Sequence, residues 1–115
     1  MKLTDLDRAL TTFEGQELKT RKSENEPEVA VTRRLVLLNC LGSTKPDNGK
    51  QSIELYQLGT RVAKDNDVKV DANEFLLIKK AVEQNNPGYL LVVQGQILEY
   101  LGLVEESLTK PEATV

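Results

Sequence analysis

The chain has 115 residues, of which 39% are hydrophobic and 29% are charged, and its formal net charge at pH 7 is -3. This length accommodates one domain with an ordinary core, and the composition excludes a disordered or fibrous chain. Acidic and basic residues are interleaved, so the sequence shows no broad polycationic surface for nucleic acid, although a local basic patch stays open as a hypothesis.

The sequence also limits the chemistry that the protein can perform. It contains no histidine, which removes the commonest general base, the Ser-His and Cys-His dyads and imidazole zinc sites. Its single cysteine, Cys40, lies in the most apolar run of the chain and is interpreted as a buried packing residue. Neither a glycine-rich phosphate loop nor a G-x-S-x-G motif is present. We therefore predict a protein that is not an enzyme and uses no cofactor.

The two ends of the chain are predicted to be its least regular parts. The start, M-K-L-T-D-L-D-R, has no apolar core of signal-peptide length, and no window reaches the roughly 18 apolar residues of a membrane span. We therefore expect a cytoplasmic protein without membrane contact.

Residues 1–104 are assigned to one globular helical domain, in which 1–28 form an arm with a hairpin turn at Glu14-Gly15 and a mobile polar loop. Residues 105–115 are predicted to be a flexible acidic tail.

The apolar stretch Val29–Leu41 predicts the central helix of a small bundle, because a helix here would be apolar over most of its circumference. Pro27 suits a first helical turn, so this helix is expected to begin at about residue 25 or 26 and to stop at Gly42.

A second helix is predicted from about Lys50, with an apolar stripe formed by Leu55, Leu58 and Val62. Gly59 lies inside this helix, where glycine costs about 1 kcal/mol relative to alanine. We expect the close packing of another backbone to explain its presence.

A short strand and a third helix follow. The alternation over Val68–Val70 indicates the strand, which is expected to pair with the region Phe13–Leu18. Asp71 and Glu74 have the spacing of a capping box, so the third helix should begin at Ala72. Its buried face should consist of Phe75, Ile78 and Val82.

The fourth helix is predicted to start at Asn86 and Pro87, a cap followed by a proline in the first turn, and to end at about Leu101. Its buried face should consist of Leu90, Val93, Ile97 and Leu101. The predicted fold is thus mainly α, a four-helix single-core domain with a minor two-stranded β element.

Four acidic residues between the second and third helices occupy the third, fifth, ninth and twelfth positions of an EF-hand loop: Asp65, Asp67, Asp71 and Glu74. Ala63 stands where the first carboxylate belongs, and Val68 stands where the loop needs a glycine. We therefore favour solvated aspartates with Asp71 as a helix cap, and keep a degenerate cation-binding helix pair as an alternative.

Partner binding is the leading functional prediction. Five basic residues would form a patch if the polar loop folded over the first helix: Lys19, Arg21, Lys22, Arg33 and Arg34. Interspersed glutamates and the lack of aromatic residues make nucleic-acid binding there the alternative rather than the first choice. On the fourth helix, the side chains outside the buried stripe include Tyr89, Val92 and Tyr100. Such a patch would mark a protein interface, including one for self-association.

Several of these segments together resemble small bacteriophage and prophage proteins. They are F-E-G-Q-E-L, R-R-L-V-L-L-N-C-L, E-L-Y-Q-L-G-T-R-V, V-K-V-D-A-N-E-F-L-L-I-K-K-A-V and L-V-V-Q-G-Q-I-L-E-Y-L. The resemblance covers Phe13 to Leu101 and involves fold-determining residues rather than a catalytic motif. It implies a phage accessory protein, regulatory or assembly-related, that acts by contact in the host cytoplasm.

Overall fold

The computed structural model describes residues 2–21, 24–84 and 91–109. The elements found there, in chain order, are β1 (Lys2–Leu3), β2 (Lys19–Thr20), β3 (Val29–Ala30), α1 (Arg33–Gly42), α2 (Gly49–Lys64), β4 (Val68–Lys69), α3 (Ala72–Gln84) and α4 (Leu91–Thr109). The fold is mainly α with four helices, as predicted. The minor β structure consists of two antiparallel pairs in the described residues, β1 with β4 and β2 with β3.

One cluster of buried apolar side chains holds these elements together. α1 packs against both α2 and α3, and α3 packs against α4, so α1 is the central helix that its apolar sequence predicts. Cys40 is buried within it, as predicted. The N-terminal segment enters the same core, because Leu3, Leu6 and Leu10 are all buried. Among the described residues, no helix is long and apolar enough to cross a membrane.

The predicted start of the first helix is wrong. The backbone N–H of Val31 donates to the Leu18 carbonyl at 2.9 Å, and the Leu10 N–H donates to the Val31 carbonyl at 2.7 Å. The β-branched residues before α1 therefore belong to an extended segment rather than to a helical turn. The helix begins only after Thr32, whose hydroxyl accepts from the Leu35 N–H at 3.2 Å as an N-cap.

The predicted hairpin turn is present, but the predicted strand partner is wrong. Gly15 has a φ of +88°, a conformation that favours glycine, and its N–H donates to the Thr12 carbonyl at 3.0 Å. β4 pairs with β1 instead of this hairpin, in the register Lys2 with Lys69 and Leu3 with Val68. This register buries both Leu3 and Val68 completely.

The capping box at the start of α3 is confirmed. The Glu74 N–H donates to the Asp71 carboxylate at 2.7 Å, and the Asp71 N–H donates to the Glu74 carboxylate at 3.0 Å. The predicted buried face of the helix is also confirmed, with Phe75, Ile78 and Val82 in the core.

The predicted end of the fourth helix is wrong. α4 passes Gly102 and continues to Thr109, so the first residues of the predicted tail are helical. Val104 is buried on this extension, which favours continuing the helix past the glycine. The predicted face of Val93, Ile97 and Leu101 is buried. The predicted start at Asn86 and Pro87, the side chain of Leu90 and residues 110–115 lie outside the described residues.

The capping box gives a direct test of the local structure. We expect Asp71→Ala to lower the free energy of unfolding by about 1 kcal/mol, because the hydrogen bond from the Glu74 N–H to the Asp71 carboxylate is lost. Urea unfolding followed by circular dichroism measures the change. Asn73→Ala, in the same exposed turn, is the matched control and should change stability by less than about 0.5 kcal/mol; an equal loss in both variants would contradict the assignment.

Candidate partner-binding surfaces

Arg34, a predicted partner-binding residue, is engaged within the fold. Its side chain is 16% exposed and forms an ion pair with the Asp7 carboxylate at 3.0 Å. Its guanidinium also donates to the carbonyls of Val62 and, at 2.9 Å, Asp65. These carbonyls belong to the C-terminal end of α2, where helix carbonyls lack intrahelical partners. Arg34 therefore joins α1, the end of α2 and the N-terminal segment, and it is not available as a surface anchor.

Tyr100, another predicted partner-binding residue, is also internal. It is 6% exposed, and its hydroxyl donates to the Thr4 carbonyl at 2.6 Å and accepts from the Thr4 N–H at 2.9 Å. Burial raises the pKa of the Tyr100 hydroxyl above its ordinary value of 10.0, so the hydroxyl keeps its proton as a donor. The guanidinium of Arg33 lies 4.1 Å from the centre of the Tyr100 ring, in cation–π contact.

The four basic residues of the predicted patch that the structure describes have separate surroundings. Arg33 and Arg34 point to different partners, the Tyr100 ring and the Asp7 carboxylate respectively. Arg21 pairs with Glu28 at 2.8 Å in the β2–β3 hairpin, and exposed Lys19 lies on β2. Lys22 and Tyr89 lie outside the described residues. The nucleic-acid hypothesis therefore gains no continuous basic surface from the described residues.

Three of the four acidic residues of the EF-hand alternative have other partners: Asp67, Asp71 and Glu74. Glu74 pairs with Arg61 and completes the capping box, while Asp67 pairs with Lys2 at 3.9 Å. Across residues 2–21, 24–84 and 91–109, no group of three or more acidic or cysteine side chains is placed to hold a metal ion. The contacts of Asp71 and Glu74 therefore confirm the predicted helix cap.

Gln96, which sequence reasoning did not select, docks α4 on the N-terminal segment. Its side-chain amide donates to the Thr11 carbonyl and accepts from the Thr11 N–H at 3.1 Å, as a neighbouring strand would. One turn further along α4, the Tyr100 hydroxyl likewise donates to the Thr4 carbonyl and accepts from the Thr4 N–H. The spacing of four between Gln96 and Tyr100 places both on one helix face, and this is the signal that the sequence offered.

A groove runs between α4 and the N-terminal hairpin, and we call it the α4 groove. It consists of two cavities, of about 500 Å³ and about 310 Å³, that share Thr11, Gln96 and Glu99. The larger cavity is lined by Phe13 and Leu91, which are 83% and 76% exposed, and by the half-buried Val92. The smaller cavity is lined by Arg8, Arg33 and Leu103. Two predicted partner residues, Arg33 and Val92, thus line the same groove.

A second groove lies between α1 and α2, and we call it the α1–α2 groove. It encloses about 430 Å³. None of its lining residues is charged; they are Leu38, Leu41, Gly42, Thr44, Pro46, Ser52, Leu55, Tyr56, Gly59, Thr60 and Ala63. Tyr56 stands at its edge with 76% of its surface exposed.

The explanation predicted for Gly59 is wrong. A Cβ atom placed on Gly59 would meet nothing within 4 Å, so no other backbone packs against it in the described structure. Gly59 instead opens into the α1–α2 groove. The glycine therefore leaves space at a surface rather than in the core.

Comparison of the chain with protein-family models, with curated proteins and with solved structures finds no match. The two grooves are therefore interpreted from their own geometry and chemistry.

Removing the Arg34 side chain should destabilise the fold. We expect Arg34→Ala to lower the free energy of unfolding by about 2–4 kcal/mol, because three acceptors in two other segments lose a charged donor. Urea unfolding measures the loss. Arg21→Ala, which removes an exposed ion pair, is the control and should cost less than about 1 kcal/mol. Similar losses in both variants would show that Arg34 is an ordinary surface residue.

The Asp7–Arg34 pair should also make stability depend on pH. The hydrogen bond from Arg34 lowers the pKa of Asp7 below its ordinary value of 3.8. The pair therefore stabilises the fold at pH values above 3.8, and this contribution is lost as the pH falls through the lowered pKa. We expect Asp7→Asn to be less stable than the natural chain at about pH 7, with the difference disappearing at about pH 2. A difference in unfolding free energy that stays constant over this range would contradict the assignment.

Proposed function

We propose that the protein is a non-enzymatic protein-binding module, and that the α1–α2 groove receives the uncharged face of a helix from a partner protein. The observation that carries this proposal is the open, wholly uncharged lining of the groove beside Gly59. In agreement with the resemblance described above, we further propose that the module serves a bacteriophage as an accessory protein that acts by contact.

The chemistry of the lining selects the kind of partner. Its leucines and Pro46 offer apolar area, and Tyr56 adds a ring with a polar tip, a residue type that is enriched at protein interfaces. A charged ligand would lose its hydration in this groove without gaining an ion pair. The favoured occupant therefore presents apolar or small uncharged side chains.

The shape of the groove favours a helical occupant. Two packed helices, α1 and α2, form its walls, and a third helix can place its side chains between the ridges of such a pair. At Gly59 the absence of a Cβ allows the backbone of the partner to approach α2 more closely than it could at another residue. The cost of about 1 kcal/mol for a glycine inside a helix is then offset by binding rather than by folding.

Filling the groove should separate binding from stability. In Gly59→Leu the new side chain would enter open space, so the chain should fold with unchanged or higher unfolding free energy. The binding probe is a displayed library of amphipathic helical peptides, selected on the natural chain. We expect selected peptides to bind Gly59→Leu at least about tenfold more weakly, a loss of about 1.4 kcal/mol.

Gly102→Leu is the matched control for this experiment. Gly102 is also a helical glycine with nothing within 4 Å of a Cβ position, but it lies on α4 and does not line the α1–α2 groove. This variant should bind the selected peptides like the natural chain. The proposal fails if no peptide is selected, or if both leucine variants bind equally well. The mass of the particle in solution decides whether a second copy of the chain occupies the groove instead, because such a complex would depend on concentration and be lost in Gly59→Leu.

A further inference from the structure

The α4 groove has a different chemistry from the α1–α2 groove, because two guanidinium groups line its smaller cavity. Neither Arg8 nor Arg33 forms an ion pair with a carboxylate of the described residues. The guanidinium of Arg33 donates to one described acceptor, the Asp5 carbonyl, at 3.4 Å. An arginine side chain carries five N–H donors, so most of those on Arg33 have no acceptor among these residues.

Arg33 is held in a fixed position from which it can bind an anion. Its guanidinium lies over the Tyr100 ring, and that ring is anchored in turn by two hydrogen bonds between its hydroxyl and the Thr4 backbone. Holding a guanidinium in place before binding reduces the entropy lost when it pairs with a carboxylate. Arg8 lines the same cavity from the N-terminal segment and supplies a second positive charge.

The other end of the groove is apolar. Phe13 and Leu91 are mostly exposed there, so a partner that covered them would remove apolar area from water. Glu99 lines both cavities, between the apolar and the basic end. Its negative charge disfavours a polyanion such as a nucleic-acid backbone but tolerates one carboxylate held by two arginines.

We propose that the α4 groove is a second binding surface, and that it takes a segment of a protein partner in which an aspartate or glutamate adjoins apolar side chains. The carboxylate pairs with Arg33 and Arg8, and the apolar side chains cover Phe13 and Leu91. Charge complementarity and the exposed apolar residues both support this occupant. The assignment does not depend on the α1–α2 groove.

The test uses the Gly59→Leu chain, in which we expect the new side chain to block the α1–α2 groove, so that the two surfaces are examined separately. Random peptides of about twelve residues are selected on this variant. We expect the selected peptides to share an acidic residue beside apolar residues. Replacing that acid with its amide should weaken binding about tenfold or more, as expected for the loss of a charge-assisted pair.

Variants of the groove then locate the contact. Arg33→Gln and Arg8→Gln should each weaken the binding of the acidic peptide. Neither substitution should change the binding of the same peptide with its acid replaced by the amide. Arg8 is exposed, so its variant remains informative even if Arg33→Gln unfolds. Arg21→Gln, in the β2–β3 hairpin, is the matched control and should bind like the parent chain. The proposal is overturned if the selected peptides lack an acidic residue, or if the arginine substitutions change the affinity for the acidic peptide no more than that for its amide form. It is also overturned if inorganic phosphate or a single-stranded oligonucleotide displaces the peptide.

Discussion

The arrangement of the N-terminal segment, α1 and the end of α2 depends on the hydrogen bonds and the ion pair of the Arg34 guanidinium. A charged group that is 16% exposed needs acceptors for its donors, and here they come from Asp7, Val62 and Asp65. Two of them are backbone carbonyls at the C-terminal end of α2, where a positive charge also interacts favourably with the helix dipole. The Arg34 side chain therefore provides donors for the carbonyls at the end of α2. It also holds the N-terminal segment, whose residues Leu3, Leu6 and Leu10 lie in the core.

The docking of α4 follows the same principle with uncharged groups. The N-terminal segment is too short and irregular to satisfy its backbone through strands alone, and Gln96 and Tyr100 supply the missing donors and acceptors at Thr11 and Thr4. A buried backbone group left without a partner would cost about 1–3 kcal/mol. These contacts join parts of the chain that are 85 and 96 residues apart. They also give a structural reason for Gln96 and Tyr100 in the sequence Q-G-Q-I-L-E-Y.

Sequence reasoning succeeded where the cause is local. Two features depend only on residues within one or two helical turns: the capping box of Asp71 and Glu74, and the buried stripe of Leu55, Leu58 and Val62. The spacing of these residues in the sequence was therefore sufficient to predict them. It failed where distant segments decide the outcome. Val29–Thr32 can follow a helical or an extended path, and hydrogen bonds from Leu10 and to Leu18 select the extended one. The inward position of Arg34 was missed for a similar reason, because composition cannot show which way a side chain turns. The two grooves arise from the way separate elements pack, which no pattern along the sequence indicated.

Gly59 links the stability of the fold to the proposed activity. Within a helix, a glycine is less stable than alanine, and the open space beside it shows that no described side chain or backbone requires its small size. Gly102 has the same open surroundings, so what sets Gly59 apart is its position in the α1–α2 groove, where the proposed partner helix could approach closely. Phe13 and Leu91 add little burial to the isolated fold because they stay mostly exposed, and covering them would favour the binding proposed for the α4 groove. Each surface thus leaves a helical glycine or large apolar side chains uncovered at the position where the proposed partner would bind.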